Sequence, residues 1–77
     1  MKKVDLSNMA DGWPSKLVSR QEVSKFSGGA ISEKYLANLD SAGQGPKERI
    51  KIGRRVVYPV ASLIEWLEGR SHVVEGR

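Results

Sequence analysis

The apolar residues change their period in mid-chain, and that change limits the chain to a mixed fold. Before Gly45-Pro46 they recur three and four apart, as on one side of a helix. From Lys47 they alternate: Ile50 and Ile52 take turns with Arg49 and Lys51, which reads as a strand with one apolar face. After Pro59 the helical spacing returns, with Val60, Leu63, Ile64 and Leu67 on one stripe and Trp66 widening it. Helical segments therefore flank a β-hairpin.

Local signals set the boundaries. Ser19 and Glu22 fit a capping box, in which each side chain satisfies the other residue's free backbone N–H, with Val18 and Val23 as its hydrophobic staple. A first helix is expected over about residues 20–27, buried through Val23 and Phe26 and stopped by Gly28-Gly29. Ser32 caps a second helix from Glu33 to about Ser41, with Leu36 and Leu39 facing inward and Gly43 closing it. The join between the two is about five residues long and contains glycine, which fits a helix-turn-helix. Gly53-Arg54 turns the hairpin and Arg55-Val56-Val57-Tyr58 forms its second strand. Such a hairpin is marginal alone in water, so it must lie against the helices. Pro59 suits the first turn of a third helix over about residues 60–68, which Gly69 ends.

Outside these elements the pattern fades. Residues 1–16 show no sustained period and read as a loose arm, with Trp13 expected to pin it to the core. Residues 70–77 read as a tail. The expected fold is one domain over residues 17–69, mainly α with a small β-hairpin, in the order helix, helix, hairpin, helix.

A chain of 77 residues buries only roughly 60% of its unfolded surface, so its core is thin. It has no cysteine, which excludes disulfide and thiolate-zinc staples and leaves packing to supply stability. No apolar run approaches the ~20 residues a membrane span requires, and no apolar stretch follows Lys2 and Lys3 to make a signal peptide. A cytoplasmic location is expected.

The net charge of +4 is the charge of residues 47–55 alone, where Lys47, Arg49, Lys51, Arg54 and Arg55 face only Glu48. A charge run serves as a solvated face about as readily as it binds a polyanion, so charge by itself leaves both readings open.

Catalytic signals are nearly absent. His72 is the only histidine and lies in the tail, so no base stands beside a nucleophile within the expected fold. Asp40, Glu48, Glu65 and Glu68 fall on expected polar faces. Gly43-Gln44-Gly45 follows a helix and runs into Pro46, whereas a dinucleotide loop needs a strand before it and a helix after it. No enzymatic activity, cofactor, metal or small-molecule substrate is expected.

A helix with one buried stripe can lay its other face in a DNA major groove ~12 Å wide. On the second helix the outward positions are Glu33, Lys34, Ala37, Asn38 and Ser41, with Ser32 at its start and Tyr35 at the boundary. Lys34 can reach a phosphate or guanine, and Asn38 can contact adenine through two hydrogen bonds. Arg54 and Arg55 sit near the hairpin tip, where arginine can enter a narrow minor groove or clamp phosphates. Arg49 and Lys51 on the hairpin, with Arg20 and Lys25 on the first helix, complete the candidate DNA-binding set. Neutralising about three to five phosphates gives a salt slope of roughly −3 to −4.5 in log K against log[salt].

The stretch Leu17-Val18-Ser19-Arg20-Gln21-Glu22-Val23 followed by Ser32-Glu33-Lys34-Tyr35-Leu36 resembles the opening of the excisionase-like, AlpA-like helix-turn-helix family. Gly45-Pro46, then Lys51 to Tyr58, then Leu63-Ile64-Glu65-Trp66-Leu67 are similar to its wing and final helix, and the likeness spans about residues 17–68. It implies a MerR-like winged helix, with Lys34, Tyr35 and Asn38 reading the groove and Arg54 and Arg55 on the wing. It also implies prophage or mobile-element excision, transcriptional regulation or phage packaging, with double-stranded DNA as partner and an integrase or a second copy beside it. Gly28-Gly29 makes the turn looser than the family's, and Glu33 is acidic where members often carry a basic or polar residue. The competing expectation is a protein-interaction module that binds an integrase, polymerase subunit or response regulator through Trp13 or the tail.

Overall fold

The computed structural model describes residues 4–74; Met1–Lys3 of the expected arm and Glu75–Arg77 of the expected tail lie outside them. Among the described residues, three α-helices and a three-stranded antiparallel sheet follow in the order β1 (Leu17–Ser19), α1 (Val23–Phe26), α2 (Glu33–Ser41), β2 (Ile50–Ile52), β3 (Arg55–Pro59) and α3 (Val60–Gly69). Among the described residues no helix is long and apolar enough to cross a membrane.

The hairpin expected from the alternation is present. Ile50 pairs with Val57, Lys51 with Val56 and Ile52 with Arg55, leaving Gly53-Arg54 as the turn. Gly53 has φ +62°, a left-handed conformation that costs glycine nothing and other residues strain. The sheet also holds a strand the alternation did not announce. β1 pairs with β3 on its other edge, setting Val18 opposite Tyr58, and both are fully enclosed. With β3 central, β2 becomes an edge strand, and Ile50 and Ile52 are 43% and 56% exposed. The expected apolar face of β2 is therefore not buried; the hairpin's covered residues are Val57 and Tyr58.

The first helical segment is composite. A 3-10 turn over Arg20–Glu22 runs into the single α-turn of α1. The capping box does not form as expected: Ser19 Oγ donates to Glu22 Oε1 at 3.2 Å and caps no backbone N–H. α2 matches its expected span. Ser32 Oγ accepts from Tyr35 N at 3.0 Å, and the helix ends with Gln44 N donating to Leu39 O and Gly43 N to Asp40 O, the paired bonds of a Schellman motif. Pro59 closes β3 and stands just before α3, whose last residue is Gly69.

Val18, Val23, Phe26, Ile31, Leu36, Tyr58, Val60, Leu63, Ile64 and Leu67 make the core. The described part of the arm is seated on it, not loose. Leu6 N donates to Glu68 Oε2 at 2.7 Å, and Leu6, Met9 and Trp13 pack against the core. Trp13 acts as expected: its ring meets Phe26 edge-on with centroids 5.1 Å apart, and its Nε1 donates to Leu17 O.

Candidate nucleic-acid interface

α2 turns through about 100° per residue, and its buried stripe is Leu36 and Asp40 with Leu39 and Ala37 half-buried beside them. The opposite arc carries Ser41, Lys34 and Asn38, all exposed. Ala37 and then Glu33 follow on one side of this arc, and Tyr35 stands on the other.

The Glu33 border faces the hairpin. Arg54 and Arg55 line one shallow notch together with Glu33, Gln21 and the half-buried Arg20. The tip of the hairpin and the start of α2 thus form a single surface. Among the described residues both ion pairs converge on Asp40, which leaves Lys34, Lys47, Lys51, Arg54 and Arg55 without a carboxylate partner. Lys25 is exposed on α1, outside the notch, and Lys51 is exposed on β2.

A buried polar cluster holds these pieces in register. Asp40 was expected on a polar face, yet it is only 5% exposed. Its Oδ2 accepts from Tyr58 Oη at 2.5 Å and from Arg20 Nη2 at 2.6 Å, and Arg20 Nε donates to Tyr58 Oη at 3.0 Å. Arg49 Nη1 donates to the Asp40 backbone carbonyl at 3.1 Å and lies 3.3 Å from Oδ1, so Oδ1 receives charge but no hydrogen bond. Four segments meet at one carboxylate: the 3-10 turn, α2, β3 and the loop entering β2. Gly45 crosses so closely that a Cβ there would overlap Asp40 Oδ1.

The cluster shifts proton affinities. Burial, then the hydrogen bond to Asp40, pushes the Tyr58 hydroxyl up to about 12. Burial weighs against the Arg20 guanidinium, but hydrogen bonds to Tyr58 and Asp40 outweigh it and raise its pKa. Arg20 and Arg49, expected as free cations, are thereby committed to the fold, although their side chains remain 24% and 50% exposed.

Of the expected residues, the structure gathers Arg20, Arg54 and Arg55 around the notch beside Glu33, and presents Lys34 and Asn38 on the neighbouring arc. Ser32 is spent on capping α2. Tyr35 is 44% exposed and its hydroxyl accepts from Arg70 Nη2 at 3.0 Å. Asp40 had a usable signal, since it lies four residues after Leu36 on the same stripe. Arg70 had a partial one, since it follows Trp66 by four residues, whereas its other neighbour, Tyr35, is 35 residues away. No protein-family model matches the sequence, and no curated protein matches it.

Proposed function

We propose that the chain is a sequence-specific binder of double-stranded DNA, built as a MerR-like winged helix. In this reading α1 and α2 form the helix-turn-helix, α2 enters the major groove, and the β2–β3 hairpin is the wing. The observation that carries it is the shared surface at the start of α2. Two guanidinium groups without carboxylate partners among the described residues border a helix face that offers Lys34 and Asn38 to solvent. Guanidinium groups match phosphate geometry, and an amide side chain on an exposed helix face can read a base edge. The hairpin then supplies most of the affinity, through charge, and α2 most of the specificity. The resemblance to excisionase-like and AlpA-like proteins favours a role in excision or transcriptional control of a prophage or mobile element.

The test begins with a duplex selected by the wild-type chain from a random pool, followed by mobility shifts. Arg54→Ala/Arg55→Ala is expected to weaken binding on every duplex. Asn38→Ala is expected to weaken the selected duplex more than a scrambled one, by about 1–3 kcal/mol of discrimination. Equal binding by the double variant and the wild type excludes the wing as a DNA contact. Failure of the wild type on every duplex at low salt, with recovery of one protein partner, favours an interaction module instead.

A further inference from the structure

The Tyr35 border of α2 has its own cation. Arg70 follows α3 and is exposed. Its guanidinium carbon lies over the Trp66 ring, 4.7 Å from the ring centre, and 6.0 Å from the Tyr35 ring centre, while Nη2 donates to the Tyr35 hydroxyl. Trp66 is itself fixed, with Nε1 donating to Gln44 O at 2.9 Å.

We propose that Arg70 is a second phosphate-binding station, which grips the DNA strand on the border of the major groove opposite the one held by Arg54 and Arg55. This rests on the reading of the chain as a duplex-DNA binder. Stacking on a ring face uses the guanidinium plane and leaves its edge donors free; one of five goes to Tyr35. A stacked arginine has few rotamers left to lose on binding, so it meets a phosphate pre-ordered. Arg70 and Trp66 line a recess beside α3 together with Lys47, which adds a second positive charge. Glu65 lines it too, yet among the described residues no carboxylate is ion-paired with Arg70.

The helix wheel supplies the placement. Going around α2, Glu33 comes first, then half-buried Ala37, then Ser41, Lys34 and Asn38, then Tyr35. Arg54 and Arg55 stand beside the first of these and Arg70 touches the last. A helix lying in the major groove has one phosphate backbone on each side, so cations on both flanks match the two strands. The ligand at Arg70 is a backbone phosphodiester, read without regard to base.

Phosphate-ethylation interference and salt titration on the wild-type-selected duplex test this. The wild type is expected to show two clusters of interfering phosphates, one on each strand. Arg70→Ala should erase one cluster, Arg54→Ala/Arg55→Ala the other. Arg70→Ala should also bind about fivefold more weakly on all sequences and lower the salt slope by about 0.9. Arg70→Lys, which keeps charge but loses the stacked plane, should retain the salt slope with weaker affinity. A thermal melt unchanged from wild type shows that the substitution acts on binding and not on folding. Wild-type binding with Arg70→Ala unchanged in slope and interference pattern overturns this proposal and leaves the DNA-binding reading intact. Absence of wild-type binding to any duplex overturns both.

Discussion

Replacing Asp40 by alanine removes the carboxylate that accepts hydrogen bonds from Tyr58 and Arg20 and pairs in charge with Arg49, whose hydrogen bond to the Asp40 backbone carbonyl remains. Breaking a buried pair by deleting one partner costs about 3–5 kcal/mol when the remaining charge is trapped. Here Arg20 and Arg49 keep 24% and 50% of their side-chain surface in water, so both charges rehydrate and the figure falls below that range. The Tyr58 hydroxyl cannot, because the residue is fully enclosed, and an unsatisfied buried donor costs about 1–3 kcal/mol. The expected loss is about 3 kcal/mol. For a domain of this size that lowers Tm by about 12–24 °C. Urea and thermal unfolding followed by circular dichroism measure it. Tyr58→Phe, which leaves the Arg20–Asp40 pair intact, should cost about 1–1.5 kcal/mol, and the two substitutions together less than their sum. An Asp40→Ala cost under about 1 kcal/mol, or strict additivity with Tyr58→Phe, would refute the account of this cluster.

Three further outcomes follow from the packing. Tyr58 should ionise near pH 12, against 10.0 for a free tyrosine, as read by tyrosinate absorbance. Because the folded value is the higher, its stabilisation is complete below about pH 10 and is lost as pH rises through about 12, so Tyr58→Phe should flatten the alkaline arm of a stability profile. Gly45→Ala should lower urea stability by about 1–3 kcal/mol, because the new methyl group overlaps Asp40 Oδ1. Trp13→Ala should cost about 2–3 kcal/mol in the same assay, since the half-buried ring packs on Phe26 and anchors the arm.

What the sequence displays depends on how local the cause is. α2 was legible to the residue, because Ser32, Glu33 and Gly43 act within a turn of their positions. The hairpin was legible from alternation and Gly53. β1 was not: three residues carry no period, and Leu17–Ser19 become a strand only because β3 offers an edge. The burial of Ile50 and Ile52 was misjudged for a related reason, since alternation shows which residues share a face but not whether anything covers it. Asp40 sat on the buried stripe by spacing, and its charge argued it outward; the partners that permit burial lie 18 and 20 residues away. In the candidate site, Arg54 and Arg55 were legible from charge together with their place at the hairpin turn, whereas the separation of free cations from structural ones, Arg20 and Arg49, required the fold.

The most direct test of DNA binding through α2 and the hairpin is the salt dependence of affinity for a selected duplex. The wild type should give a slope of roughly −3 to −4.5 in log K against log[salt], shallower by about 1.8 in Arg54→Ala/Arg55→Ala. A wild-type slope near zero, or one that the double substitution leaves unchanged, would contradict it.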